Sequence, residues 1–444
     1  MTPLKHTALA ALLACSCLTA SALDLRQAYQ GALEQDAIIQ AARANAAAGR
    51  EVVPQTRAQL LPNVSLSMSR TRNDLLSTTT DFLGREVTTQ NGYPSYNDTL
   101  NIRQPLYRKY QWAHYQQAQA QVEDVNAVLD VELQNLAVRV ASVYFEALLA
   151  QDQLNLVQTQ RVAYGTQLDA SRKLLAAGSG TRTDIDEAQA RLDMNTALEL
   201  EARQHVDYTR RQLQVMVNQP FDGLAALDAD KLPLVPPQGA GLEDWVERAE
   251  QRSPELKSLR ARLEVARLEV DKASAGHHPT LDAVAQLSRS GSENTQNISS
   301  SYRNKSIGLQ LNVPLYAGGA VNSAVRQALA NQERAEQLLE AGRRDLGVRV
   351  SKEYRGVTEG VLRVKALMQA VASAEQVLVS NQKSFQAGSR TRVDILNAEN
   401  NKMLAQRDLA QARYVYLLAS LRLKALVEDA NLESIEAINS SLKP

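Results

Sequence analysis

The sequence predicts an α+β membrane protein with an internal two-fold repeat, in which a long antiparallel α-helical coiled coil is joined to four transmembrane β-strands per chain. Three observations predict this class. Two motifs recur in the same order at nearly the same spacing, as in a duplicated chain. Two long proline-free stretches carry apolar residues at helical spacing. Each of them follows segments in which apolar and polar residues alternate as in strands.

The composition favours long helices over a compact globule. The 444 residues include 49 basic and 49 acidic side chains, so the basic excess of a nucleic-acid-binding protein is missing. Hydrophobic residues make up 44% of the chain, but aromatic residues only 5%. A globule of this size usually buries more aromatic surface. Chains rich in alanine and glutamine, with few glycines and prolines, favour long helices.

Residues 1–22 are predicted to be a signal peptide. A charged start and an apolar stretch precede the small residues at 20–22, which fit the cleavage rule for exported proteins. Cys15 and Cys17 both precede this site, so the mature chain would contain no cysteine. One alternative stays open, because the segment before Cys15 is similar to a lipoprotein cleavage box in which this cysteine carries the lipid.

Two motifs indicate an internal duplication. Residues 178–185, with the sequence Gly-Ser-Gly-Thr-Arg-Thr-Asp-Ile, return at 388–395 as Gly-Ser-Arg-Thr-Arg-Val-Asp-Ile. Pro-Leu-Tyr at 105–107 returns at 314–316. Motifs that recur in order at a near-constant offset mark a repeat. The predicted domains are a first repeat at 23–219, a Pro- and Gly-rich equatorial linker at 220–241, a second repeat at 242–429 and a C-terminal tail at 430–444.

Each copy contains a predicted β-hairpin. Ile307, Leu309 and Leu311 alternate with Gly308 and Gln310, and one apolar and one polar face fit a sheet between lipid and water. Taken alone, the alternation also fits an amphipathic hairpin on a soluble core. The connections are rich in Ser, Thr, Asn and Gly, which predicts solvated loops. The hairpins are predicted at about 63–107 and 280–316, and their loops at 74–95 and 290–301.

The long helices carry the strongest periodicity. Leu133, Leu136 and Val140 in the first copy follow three-to-four spacing, as do Val350 and Val357 in the second. Such heptads predict coiled-coil packing. At about 1.5 Å per residue each long helix would run about 100 Å, roughly twice the length of a shorter one. Long helices are predicted at 108–176 and 319–386, and shorter ones at 24–60, 183–218, 242–276 and 392–429.

The four predicted strands require other copies of the chain. Four strands cannot close a barrel, and open sheet edges are not tolerated in hydrocarbon. Two chains would supply eight strands, a barrel filled by its own side chains, whereas three would supply twelve and leave room for a polar lumen. The sequence therefore predicts a 12-stranded barrel completed in a trimer. The residues predicted to face water inside it are Arg103, Ser288, Gln310 and Asn312.

Two other classes of protein fit the sequence less well. An enzyme is disfavoured because the chain has only five histidines. His114 and His205 stand alone in helical patterns, and His277-His278 ends a helix with no carboxylate or thiol at metal-ligand spacing. Gly178-Ser179-Gly180 does not follow a strand, so it is not a phosphate-binding loop. We therefore expect no catalytic residue, no metal and no cofactor. A soluble periplasmic coiled-coil structural or adaptor protein would explain the heptads but not the duplicated hairpins.

The duplicated plan, the two Gly-x-x-Thr-x-x-Asp-Ile turns and the Pro-Leu-Tyr motifs together resemble the TolC family of outer-membrane efflux and secretion channels, over essentially the whole mature chain. The resemblance implies a homotrimer in the outer membrane that extends into the periplasm as a helical tunnel. It also implies docking to a periplasmic adaptor (membrane fusion protein) and an inner-membrane ABC or RND-type transporter. The branch that serves type I protein secretion is the nearest, and multidrug efflux is the alternative.

The resemblance further implies roles for residues of the two turns. Thr183 and Asp184 would face Arg390 and Phe385 at the periplasmic entrance, and Asp394 would line the pore. The tips that meet the adaptor would be Gly178, Ser179, Thr181, Gly388, Ser389 and Thr391.

Three points qualify these roles. Phe385 stands where the family often has Tyr, and Asn397 stands at an entrance position where an acidic residue can occur. Asp184 and Asp394 could also serve only as helix-capping residues, since Asp is favoured at a helix start. Separately, Tyr107 and Tyr316 would belong to an aromatic girdle at the membrane interface.

Overall fold

The same series of elements occurs twice along the chain. The computed structural model describes residues 22–237, 239, 241–292 and 300–443, so the predicted signal peptide lies outside the described residues except for Ala22. In each copy shorter helices lead into a β-hairpin, which is followed by a very long helix, a tight turn and another helix. This order confirms the predicted fold class and its internal repeat.

The first predicted helix is divided at Asp36. The Asp36 carboxylate accepts the backbone N–H groups of Ile38 and Ile39 at 2.9 and 3.1 Å, and it pairs with Arg139 at 3.0 Å. An Asp that accepts these N–H groups starts a new helix instead of continuing the old one. A second interruption, a turn at Glu51, follows. The predicted helix 24–60 is therefore three helices: α1 (Leu25–Gln35), α2 (Ala37–Arg50) and α3 (Val52–Ala58).

The second copy has a break at the corresponding place. Ser253 is buried and precedes Pro254, and a residue before proline is disfavoured in helical conformation. The helices before the two breaks both have 11 residues, so the duplication extends to this detail. The predicted helix 242–276 is accordingly α6 (Leu242–Arg252) and α7 (Pro254–Ser274).

The long helices are continuous. The first has 68 residues and the second 67. Their apolar spacing is reflected in burial, because Leu136 and Val140, like Val350 and Val357, are at most 2% exposed. Periodic burial of this kind is what coiled-coil packing requires. The remaining helices are α4 (Lys109–Ala176), α5 (Arg182–Val217), α8 (Ala320–Gln386), α9 (Arg392–Leu426) and α10 (Leu432–Asn439).

The strands form one antiparallel sheet in the order β1-β2-β3-β4. The outer strands β1 and β4 each have one unpaired edge within the chain. Their bounds are β1 (Asn63–Thr80), β2 (Glu86–Arg108), β3 (Thr280–Ser292) and β4 (Ser300–Asn312).

The predicted loop at 74–95 is wrong. The strands continue to Thr80 and resume at Glu86, because the threonine-rich sequence that suggested a loop also favours strands. Asp81 closes the short turn by accepting the N–H groups of Leu83 and Arg85 at 2.8 and 3.0 Å. In the second hairpin the strands cover 290–292 and 300–301 of the predicted loop, and 293–299 lie outside the described residues.

The two Pro-Leu-Tyr motifs occupy different structures. The first, at 105–107, lies inside β2, which leads directly into α4. The second, at 314–316, lies beyond the end of β4 and before α8. Gly318 and Gly319, with φ of 60° and 81°, form this connection in the second copy.

The described chain divides into two compact units. One contains the two interhelical turns, the linker and the ends of the described chain, and its core includes Tyr144, which is fully buried. The Tyr144 hydroxyl donates to the carbonyls of Leu23 and Ala225 at 2.9 and 3.0 Å. The other unit, residues 44–128 and 255–342, contains the sheet.

Candidate functional site

The α4–α5 and α8–α9 turns share one backbone geometry. Gly178 and Gly388 have φ of 76° and 75°, in the left-handed region that favours glycine. Their N–H groups donate to the carbonyls of Leu175 and Phe385 at 3.0 and 2.9 Å, which closes each helix. The repeated sequence motif therefore specifies the same turn twice.

A reciprocal pair of hydrogen bonds starts the helix after each turn. Thr181 Oγ1 accepts the Asp184 N–H at 3.1 Å, while Asp184 Oδ2 accepts the Thr181 N–H at 3.1 Å and its hydroxyl at 2.7 Å. In the second turn the same three bonds join Thr391 and Asp394 at 3.3, 2.9 and 2.8 Å. This is the capping box, in which threonine is the N-cap residue and the acidic residue is at the third helical position.

The capping bonds affect the charge of both carboxylates. The Thr181 hydroxyl, followed by the Thr181 backbone N–H, holds the pKa of Asp184 below its ordinary value. For Asp394 the Thr391 backbone N–H is the largest cause of the lowered pKa, followed by the hydroxyl. Both groups are therefore anionic at neutral pH while they cap their helices.

Two arginines accompany these carboxylates. Arg390 pairs with Asp394 within the second turn, at 3.7 Å. Arg392 lines a cleft of about 420 Å³ together with Asp184 and Phe385, and its guanidinium lies 5.0 Å from the centroid of the Phe385 ring. The charge of Arg392 also contributes to the lowered pKa of Asp184. Within one chain, the cation beside Asp184 is thus Arg392 and not Arg390.

Arg392 was missed by reasoning from the sequence, although a signal was present. Arginine follows the capping threonine in both copies, as Arg182 and Arg392. The other predicted entrance residues do not join the cleft: Thr183 and Asn397 are exposed on α5 and α9. The six predicted tip residues all lie in or beside the two turns, and all six are exposed.

One face of the sheet is apolar and exposed. The register places Val64 opposite Ile102 and Leu66 opposite Leu100, so the apolar positions of neighbouring strands share a face. On β4, Ile307 is 88% exposed and Leu309 71%. Other apolar members of this face are Met68, Tyr107, Leu281, Ala283, Ala285, Leu287 and Leu311.

The opposite face of the sheet is polar. Ser288 is opposite Thr99, and Gln310 is opposite Asp282. The four residues predicted to face water all lie on this side: Arg103, Ser288, Gln310 and Asn312. Tyr107 lies on the apolar face opposite Leu281, while Tyr316 is 89% exposed beyond the end of β4.

Neither a metal-binding cluster nor a membrane-spanning helix is found in the described part of the chain. Within it, no group of three or more His, Cys, Asp and Glu side chains is arranged to hold a metal ion. None of the helices in the described ranges is long and apolar enough to cross a membrane. His277 and His278 have hydrogen-bond partners in Asn322 and Tyr107, at 3.0 and 3.4 Å.

Comparison with known proteins shows a matching family and several similar proteins. The family model described as "Outer membrane efflux protein" matches residues 28–219 and 245–427. The alkaline protease secretion protein AprF of Pseudomonas aeruginosa is 36% identical over 94% of this chain and 88% of that protein. The proteases secretion protein PrtF of Dickeya chrysanthemi is 33% identical over 95% of this chain and 91% of that protein.

A solved structure has the same fold. The outer membrane protein VceC from Vibrio cholerae superposes with a TM-score of 0.75 at 17% sequence identity. The match covers 91% of this chain and 96% of that one.

Proposed function

The chain belongs to the outer membrane efflux protein family, and we propose that three copies of it form an exit duct across the outer membrane. The proposal rests chiefly on one observation. The four-stranded sheet has an exposed apolar face, a polar face and two unpaired edges. The apolar face is suited to lipid and the polar face to water, while the unpaired edges require further strands.

Three chains satisfy these requirements. Their sheets would supply twelve strands, enough to enclose a polar lumen, while two would give a barrel filled by its own side chains. Arg103, Gln310 and Asn312 would then line the lumen, and Leu309 and Leu311 would face lipid. Tyr107 and Tyr316 would belong to the aromatic girdle at one interface.

The helices would extend the duct into the periplasm, and the two interhelical turns would form its entrance. Arg390 and Asp394 form a solvated ion pair, and Arg392 lies in the same cleft as Asp184, so each of these contacts is weak. A constriction held by several weak contacts can be opened by a partner that binds the tips. We therefore assign the exposed tips to a periplasmic adaptor, which would connect the duct to an inner-membrane transporter.

The proposed cargo is protein. Two relatives that cover nearly the whole chain carry names that refer to protease secretion. On this basis we propose export by type I secretion through an ABC-type transporter. Efflux of small toxic compounds through an ABC or RND-type transporter is the second candidate, because the matching family is described by efflux. A soluble structural or adaptor protein is disfavoured by the exposed apolar sheet face.

The native mass of the protein tests the duct. We expect a trimer when the protein is extracted from outer membranes in mild detergent. A monomer that is released without detergent would mean that the sheets do not share a barrel, and would contradict the proposal.

A deletion strain tests the cargo. Loss of secreted proteins from the medium, with unchanged drug sensitivity, is expected for type I secretion. Increased drug sensitivity with normal protein secretion would assign the duct to efflux instead.

A further inference from the structure

The apolar face of the sheet ends in a group of basic side chains, which we call the cationic row. It lies toward the β1–β2 turn, beginning at Lys305, which is directly opposite Leu287, and continuing past Met68 on β1. All of its members are exposed. The cationic row consists of Arg70, Arg72, Arg289, Arg303 and Lys305.

The register brings like charges together in this row. Arg289 of β3 is directly opposite Arg303 of β4. Lys305, two residues after Arg303 on β4, lies on the same face of the sheet. Like charges directly opposite each other in a sheet are destabilising. An anion bound between or above such side chains would offset this repulsion through charge-assisted hydrogen bonds.

Asp98 lies directly opposite Arg289 and interacts with its charge, but no carboxylate described by the structure forms an ion pair with Arg303 or Lys305. The two terminal guanidinium nitrogens of Arg70 donate hydrogen bonds to the Asp98 carboxylate at 2.5 and 3.1 Å. Asp74 accepts the amide of Gln90 at 3.0 and 3.1 Å. Across the ranges described by the structure, no ion pair to a carboxylate is formed by Arg72, Arg289, Arg303 or Lys305.

Tyr96 orders two members of the row. It is the cross-strand partner of Gly291, and its ring lies so close that a Cβ on that glycine would come within 2.4 Å of it. The guanidinium carbons of Arg70 and Arg289 lie 5.4 and 5.6 Å from the ring centroid. Contacts between the cations and the aromatic ring hold both guanidiniums at the surface of the sheet before any ligand binds.

The position of the row along the strands corresponds to a membrane boundary. From Leu311 to Arg303 the strand advances about 26 Å, close to the apolar band of about 25 Å that outer-membrane strands present to lipid. The helices α4 and α8 follow the ends of β2 and β4 that are farther from the cationic row. If these helices are periplasmic, the cationic row lies at the outer leaflet.

We propose that the cationic row binds the phosphate groups of a phosphorylated lipid in the outer leaflet. This inference rests on the proposed function, because it requires the apolar face to contact lipid. Guanidinium groups match phosphate oxygens with paired hydrogen bonds, and Lys305 adds a point charge. The stems of these long side chains can lie along apolar surface while their charged ends reach the headgroups.

The test uses the full-length trimer in phosphatidylcholine vesicles that contain diphosphoryl lipid A, with retained lipid measured by native mass spectrometry. The variant carries Arg289→Gln, Arg303→Gln and Lys305→Gln. Its matched control carries Arg334→Gln, Arg363→Gln and Lys365→Gln, which remove the same charge from exposed positions of α8. We expect lipid A retention to fall about tenfold or more in the variant only, because each basic residue at a membrane surface contributes substantially.

Two further measurements separate the possible outcomes. Equal retention of lipid A by variant and control, or of lipid A and its dephosphorylated form by the wild type, would overturn the inference. Competition by inorganic phosphate without any preference for phosphorylated lipid would also overturn it. Native mass and channel conductance of the same samples test the proposed duct separately. A trimer that conducts but shows no preference for phosphorylated lipid would contradict only this inference.

Discussion

At the scale of single residues, the two turns combine structural and electrostatic roles in the same side chains. Asp184 and Asp394 accept the bonds that start α5 and α9, and the same bonds lower the pKa of each carboxyl. Capping and a role at the entrance are therefore compatible, because an anion that caps a helix remains a charge at its exposed end.

Removal of one capping hydroxyl should weaken its helix start. Thr181→Val would leave the Asp184 N–H without its acceptor, and loss of an N-cap costs about 1 kcal/mol. The expected result is a lower thermal midpoint of unfolding in mild detergent. Thr183→Val, at an exposed position two residues away, is the control, and equal losses would contradict the assignment.

The lowered pKa values predict how the turns respond to acid. Since the folded-state pKa lies below the unfolded-state value, each carboxylate contributes stability that is complete above about pH 4 and is lost as the pH falls through the folded-state pKa. Thermal midpoints of the wild type and of Asp184→Asn with Asp394→Asn should differ at neutral pH and converge below that range. A difference that persists in acid would exclude these carboxylates as its cause.

At the scale of elements, the strands show how a period of two becomes a surface with two different faces. From Ile307 to Asn312 the residues of β4 alternate between the two faces, as Leu309 and Gln310 illustrate. Pairing across four strands extends the alternation of one strand into a whole apolar face. A substitution on β4 should therefore have an effect that depends on which face it changes.

Leu309→Arg should impair membrane insertion, while Gln310→Arg should be tolerated. An arginine near the middle of the lipid-facing band costs about 2–4 kcal/mol, whereas the same side chain on the polar face remains in water. The measurement is the fraction of protein recovered as a trimer from outer membranes. Similar recovery of the two variants would mean that the faces have been assigned incorrectly.

At the scale of the whole molecule, the turns and the sheet belong to different compact units. The unit with the turns is stabilised by contacts between distant parts of the chain. Leu23 pairs with Leu224 and Leu227 with Leu442, and the ring of Phe145 stacks on Tyr414 at 5.7 Å. Conduction is a property of the assembled duct, so the function of the turns can be measured only there.

Loss of the second turn's ion pair should widen the entrance. Arg390→Ala with Asp394→Ala removes the 3.7 Å contact, and should raise single-channel conductance in a planar bilayer and reduce the preference for cations. Glu187→Ala with Arg191→Ala removes an ion pair on α5 and is the control. Unchanged conductance in the first variant would remove these residues from the gate.

Features that depend on short-range periodicity and local hydrogen bonds are predictable from the amino-acid sequence. Heptad spacing specified the long helices, and the repeated Gly-x-x-Thr-x-x-Asp motif specified two turns with nearly the same φ at Gly178 and Gly388. The duplication and the two faces of the strands could be read in the same way, because a residue's neighbours along the chain decide them.

Features that depend on residues far apart in the sequence become visible only in the folded chain. The break at Asp36 involves Arg139, the cation beside Asp184 is Arg392, and Arg289 meets Arg303 through strand register. The threonine-rich composition of 74–95 predicts a loop, yet most of this segment is strand because a partner strand satisfies its backbone groups. Pairing and register depend on which distant groups meet, and local composition does not encode that choice.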